Sequence, residues 1–95
     1  MEKFANLNEL ILALVFWITS NTNYIDPKTL PKVEFVEQNE LSDIACKKKC
    51  EILAYTPLEP KYLIYLSDNL KPMTDVCHRG ILLHEIIHVL QEDQN

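Results

Sequence analysis

The sequence predicts an α+β domain, with two long helices packed on a small sheet of about three strands, antiparallel or mixed. Apolar residues recur at helical spacing near each end of the chain, which indicates two amphipathic helices. Between these helices lie three short segments with the composition and alternation of strands. A length of 95 residues with 47% hydrophobic residues suits one domain, residues 1–95, with a modest core.

The first helix is predicted over residues 7–20. Asn6 is a good N-cap, and Glu9 three residues later completes a capping-box-like start. The apolar side chains fall at the i, i+3, i+4 and i+7 positions and comprise Leu7, Leu10, Ile11, Leu14, Val15 and Ile18. This apolar run is too short to span a membrane and follows a single basic residue, so we expect a folded helix and no signal peptide.

Three strands are predicted between the helices. Residues 32–37 alternate apolar and charged side chains, as a half-buried strand does. Residues 51–56 and 62–66 are two further apolar segments, and the proline-rich link between them is short enough for an antiparallel hairpin. Residues 38–49 are expected to be irregular, with at most a short helical turn at residues 41–46.

The second long helix is predicted to begin after Thr74 or Asp75 and to run to about Gln91. It contains Gly80, the only glycine of the chain, which costs about 1 kcal/mol relative to alanine inside a helix. We therefore expect another element to approach the helix backbone closely at this glycine.

The second helix carries an H-E-x-x-H motif at residues 84–88. Helical geometry places His84 and His88 roughly 40° apart around the helix and about 6 Å apart along it, so both can bind one tetrahedral zinc ion. Glu85 lies beside that face and can act as the general base on a water molecule that the zinc activates. His78 lies about 240° from His84 around the helix, so we do not expect it to bind the same metal. The alternative is a core helix whose histidines only form internal hydrogen bonds, but the motif favours the metal.

Charge and composition argue against several functions. The net charge of −5 and the pI of about 5.0 argue against nucleic acid or an anionic membrane as a partner. A single glycine cannot form a glycine-rich phosphate loop, and no serine stands in a nucleophile-elbow motif.

The three cysteines are Cys46, Cys50 and Cys77. Cys46 and Cys50 enclose three lysines, and this spacing admits a small disulfide loop, a metal half-site or two free thiols. The metal interpretation would need two more ligands, which Cys77 and His78 could supply only nominally. A disulfide would indicate an oxidising compartment, and the spacing alone does not decide between a disulfide and free thiols.

Four segments stand out in combination: residues 16–24 (FWITSNTNY), Cys46-x-x-x-Cys50 ahead of a strand, residues 62–68 (YLIYLSD) and residues 81–91 (ILLHEIIHVLQ). With them the chain resembles a group of small, poorly characterised bacterial zincin-like proteins, which are predicted metallopeptidases and often exported. The resemblance implies a minimal zincin-like fold, with zinc bound by His84 and His88, Glu85 as the catalytic base and a disulfide between Cys46 and Cys50. A disulfide would favour an exported location, periplasmic or secreted.

The resemblance also implies a reaction, the zinc-dependent hydrolysis of a peptide bond in a peptide or protein substrate. Zincins of this kind take a third zinc ligand from a downstream element, but the sequence ends at Asn95, seven residues after His88. Glu92 is in helical register with His88, yet three ligands at successive i+4 positions would span about 12 Å, so we do not expect Glu92 to bind the metal. We expect water, a neighbouring chain or a segment absent from this sequence to fill the third position. The alternative function is a non-catalytic zinc-binding or interaction module, or a fragment of a longer peptidase.

Overall fold

The computed structural model describes residues 4–46 and 52–94. In chain order, its elements are α1 (Leu7–Asn21), β1 (Lys32–Val36), α2 (Gln38–Cys46), β2 (Ala54–Tyr55), β3 (Leu63–Ser67) and α3 (Val76–Asp93). The predicted α+β class is confirmed, with two long helices, α1 and α3, and a three-stranded mixed sheet. None of the described helices combines the length and the apolarity needed to cross a bilayer.

The central strand of the sheet is β3, and the strand order is β1-β3-β2. β2 pairs antiparallel with β3, with Tyr55 opposite Tyr65, which confirms the predicted hairpin. β1 pairs parallel with β3 along its whole length. A parallel pair needs a crossover connection, and the chain supplies one that includes α2 and β2.

The first helix, α1, begins where the sequence predicts and extends one residue beyond the predicted end at residue 20. The Asn6 side-chain oxygen accepts a hydrogen bond of 2.9 Å from the Glu9 backbone N–H, so the predicted N-cap is confirmed. The buried side chains of α1 are drawn from the predicted apolar stripe and comprise Leu10, Ile11, Val15 and Ile18. They belong to the same buried cluster as the apolar side chains of α3.

The short helix α2 lies between β1 and β2. It begins at Gln38 and is therefore longer than the predicted helical turn at residues 41–46. The Leu41 N–H donates to the Glu37 carbonyl at 2.9 Å, and the Gln38 side chain donates to the Ile52 carbonyl. Leu41 and Ser42 are the buried residues of this helix. With so few buried positions, the segment carries little helical periodicity, which is why the sequence underestimates its length.

The motif helix, α3, begins after Asp75, whose carboxylate accepts a hydrogen bond of 3.1 Å from the His78 N–H. Asp75 is thus the N-cap, and the helix ends at Asp93, two residues beyond the predicted end. Its apolar side chains in the central cluster include Leu82, Ile86, Val89 and Leu90. The motif helix α3 contacts both α1 and the sheet strands β2 and β3, so helix and sheet together hold the motif in place.

None of the described residues makes the close approach that we expect at Gly80. A Cβ atom added at this glycine would meet nothing within 4 Å, and the residue is exposed. The helical cost of the glycine is therefore not offset by packing against the described part of the chain.

Candidate metal centre

The two motif histidines converge on the exposed side of α3. The Nε2 atoms of His84 and His88 are 3.0 Å apart, with ring centroids 4.5 Å apart and ring planes 89° to each other. Two nitrogens bound to one tetrahedral zinc at about 2.0–2.1 Å would be separated by roughly 3.3 Å. The observed separation is close to that value, so the two rings fit a shared metal ion as the i, i+4 offset predicts.

The same histidine contact also has a metal-free interpretation, as an N–H···N hydrogen bond. A neutral imidazole carries one N–H, so this bond needs one ring protonated at Nε2 and the other at Nδ1. Zinc binding through both Nε2 atoms would instead need both rings protonated at Nδ1. The rings are exposed, so solvent and ions reach them without displacing core side chains.

The glutamate of the motif is buried between these exposed histidines. Glu85 is only 8% exposed, and its Oε1 atom accepts a hydrogen bond of 2.8 Å from the Thr56 hydroxyl. One carboxylate oxygen of Glu85 and one ring nitrogen of each histidine all lie within 4.8 Å of one another. The carboxylate therefore lies next to the point where the histidine nitrogens converge, and the Thr56 hydroxyl fixes one of its oxygens.

A shallow cleft runs over this group. The side chains that line it come from β2 and the segment after it, and from α3; they are Tyr55, Thr56, Leu58, Glu85, His88 and Glu92. Its volume of about 240 Å³ is large enough for several water molecules or a side chain of a bound chain. The cleft thus brings a carboxylate, an imidazole and an apolar wall to one solvent-accessible place.

The three motif residues are the only cluster of potential metal ligands of this size among the residues described. Glu92 lines the cleft but is not part of this cluster. Two statements about the metal stay predictions: Glu92 is not a ligand, and the third ligand position is filled from elsewhere.

The other histidine of α3, His78, has a structural role at the start of the helix. Its Nδ1 atom accepts a hydrogen bond of 2.8 Å from the Lys71 N–H, and its Nε2 atom is 3.7 Å from the Asp75 carboxylate. These contacts tie the preceding loop to the helix. They are consistent with the prediction that His78 takes no part in the metal site.

The cysteines lie outside this cluster. Cys77 is a free, exposed thiol at the start of α3. Cys50 lies outside the described residues, so the Cys46–Cys50 disulfide and the exported location that it would favour stay predictions.

Thr56 lies at the candidate site although no sequence pattern indicates it. Thr56 is separated from Glu85 by 29 positions, and a single threonine after a short strand carries no motif. The one indication is its position directly after β2, the strand that lies beside α3, where the buried carboxylate of Glu85 needs a hydrogen-bond donor.

No protein-family model, curated protein or solved structure matches the chain. The resemblance to zincin-like proteins therefore stays a prediction that depends on the motif, and the function must be argued from the geometry of the site.

Proposed function

We propose that this protein is a zinc-dependent peptidase in which His84 and His88 bind the metal and Glu85 is the catalytic base. The observation that carries the proposal is the convergence of two histidine nitrogens, 3.0 Å apart, beside a buried carboxylate within 4.8 Å. Zinc, when bound, supplies a Lewis acid that polarises a carbonyl group and makes water more acidic.

Glu85 has the position and the surroundings that a general base needs. It is adjacent to the histidine nitrogens, so it can take a proton from the attacking water and pass it to the leaving amine of the cleaved peptide. Burial and the hydrogen bond from Thr56 hold its carboxylate in one place. A fixed base avoids the loss of rate that misplacement of a reacting group causes.

The cleft suits an extended chain as the substrate. It is open to solvent, and its walls combine the apolar residue Leu58 with Tyr55 and Thr56, which both carry a hydroxyl group. An open groove with mixed walls can bind a short stretch of polypeptide and still leave both of its ends free.

The second candidate function is a non-catalytic zinc-binding or interaction module. The observation that favours it is the ligand set, because a catalytic zinc normally has three protein ligands and the described cluster offers two histidines and the base. In that case a partner chain or a further segment would complete the site. This candidate predicts metal binding without turnover.

The experiment that tests the proposal is to measure zinc in protein purified without added metal and then its cleavage of an unstructured protein substrate. We expect zinc to be bound, and we expect Glu85→Gln to lower turnover by at least about 10²-fold with zinc retained. The matched control is His84→Ala, which should lose both the bound zinc and the turnover. Wild-type-like turnover in Glu85→Gln would contradict the base assignment, and zinc binding without any turnover in the wild type would favour the second candidate.

A further inference from the structure

Within the described residues, the hydroxyl group of Thr56 donates a hydrogen bond to the carboxylate of Glu85, the candidate catalytic base. Thr56 Oγ1 donates to Glu85 Oε1 at 2.8 Å. Thr56 follows directly after β2, whose Tyr55 pairs with β3, and α3 contacts β2. The sheet therefore sets the position of the hydroxyl, and the hydroxyl sets the position of the carboxylate.

A carboxylate next to two metal-binding histidines has two possible roles, base or ligand. Zinc accepts carboxylate oxygens at about 2.0–2.2 Å as readily as it accepts imidazole nitrogens. The Glu85 carboxylate lies within 4.8 Å of both ring nitrogens, so a rotation of its side chain would bring it into the ligand shell. As a ligand it would complete a set of three but could no longer take a proton from water.

We propose that Thr56 is a positioning residue that holds the Glu85 carboxylate outside the ligand shell of the metal. The inference rests on the proposed metal site. It goes further because it assigns the choice between base and ligand to one hydroxyl group, that of the residue directly after β2. A buried carboxylate keeps a hydrogen-bond donor when one is available, because a carboxylate without a partner is costly to bury.

Removal of the hydroxyl should therefore turn Glu85 into a ligand. In Thr56→Val the side chain keeps its shape, but the carboxylate loses its donor, and the metal cation becomes its best remaining partner. We expect the zinc Kd to fall by at least about tenfold, equivalent to about 1.4 kcal/mol. With Co²⁺ in place of zinc, the visible absorption should change, because it responds to the number and geometry of the ligands.

Three further variants separate this role from a merely structural one. Thr56→Ser keeps the hydroxyl, so it should have the zinc affinity and the Co²⁺ spectrum of the wild type. Thr56→Ala lacks the hydroxyl and should behave like Thr56→Val, which covers the case in which valine disturbs the cleft. Glu85→Gln, combined with Thr56→Val, should abolish the gain in zinc affinity.

The outcomes distinguish this inference from the proposed function. If the wild type binds zinc and both hydroxyl-free variants bind it with the same or lower affinity, the role of Thr56 is wrong and the metal site stands. A large loss of affinity in Glu85→Gln alone would show that Glu85 is already a ligand, which also overturns the inference. If neither the wild type nor any variant binds zinc or Co²⁺, the metal site and the inference are both wrong.

Discussion

His84 and His88 are exposed, whereas Glu85 between them is buried, and this contrast organises the site. Residues 84 and 88 share one face of α3, and residue 85 is turned about 100° from residue 84, toward β2 and the segment that follows it. The metal would thus be reached from solvent, while the base is shielded and fixed. A base on the exposed face would have water as its main partner and no fixed position.

The zinc assignment predicts that each histidine of the pair is needed for stoichiometric zinc binding. His88→Ala removes one of two converging nitrogens and should abolish stoichiometric zinc binding, measured by elemental analysis after dialysis. His78→Ala is the matched control on the same helix, because His78 contacts Lys71 and Asp75 instead of the pair. Full zinc content in His88→Ala would contradict the assignment.

At the scale of the element, α3 carries a glycine that no contact with the described residues 4–46 and 52–94 requires. Gly80 has no positive φ, and a Cβ atom there would meet nothing within 4 Å. Gly80→Ala should therefore stabilise the protein by about 1 kcal/mol, measured as a higher urea midpoint with an unchanged slope. The site lies further along the same helix, so zinc affinity should not change.

The control for the glycine prediction is a change at the start of the same helix. Asp75→Ala removes the N-cap carboxylate that accepts a hydrogen bond from the His78 N–H. This change should lower the free energy of unfolding by about 1 kcal/mol. If Gly80→Ala destabilises as well, then another element does approach the helix at residue 80.

The end of α3 is joined to the loop before β3 by a hydrogen bond that gives the fold a pH dependence. The Tyr62 hydroxyl donates to the Asp93 carboxylate. This hydrogen bond, followed by desolvation and the negative charge of Asp93, raises the pKa of Tyr62 above its ordinary value of 10.0. Since the folded pKa is the higher one, the contribution to stability is fully present below pH 10.0 and is lost as the pH rises through the folded pKa.

The measurement for this pH dependence is the unfolding midpoint of the wild type and of Tyr62→Phe across the alkaline range. Phenylalanine keeps the ring but cannot ionise, so the midpoint of the wild type should fall more steeply above pH 10.0 than that of the variant. Parallel curves would mean that the hydrogen bond does not distinguish the folded state from the unfolded state.

At the scale of the whole molecule, the cleft is built from distant parts of the chain, and the described residues offer few potential metal ligands beside it. The segment after β2 forms one wall and α3 the other, with Glu92 lining the cleft beside His88. A site with two histidine ligands should bind zinc less tightly than a site with three protein ligands. Completion by a partner or a further segment should strengthen it.

Glu92 tests whether the chain completes the site by itself. The axial distance from residue 84 to residue 92 is about 12 Å, too long for one ligand shell. Titration calorimetry with zinc should therefore give the same affinity for Glu92→Gln as for the wild type. A large loss of affinity would show that Glu92 is the third ligand and that the site is self-contained.

Local sequence determined the parts of this protein in which neighbouring residues act together. Helical periodicity placed α1 and α3 to within one or two residues. Asn6 marked the start of α1, and the pair Thr74 and Asp75 marked the start of α3 without deciding between them. The i, i+4 offset of the two histidines was enough to predict that they converge, because helix geometry alone sets their separation. The hairpin of β2 and β3 followed from a short proline-rich link.

Only the tertiary structure decided how these elements meet. The parallel pairing of β1 with β3, the open space around Gly80 and the 29-residue separation between Thr56 and Glu85 all depend on packing between distant segments. No local pattern encodes such contacts, because each depends on where the sheet places its strands relative to α3. The motif supplied the chemistry of the site, and the fold buried its glutamate and gave that carboxylate its hydrogen-bond donor.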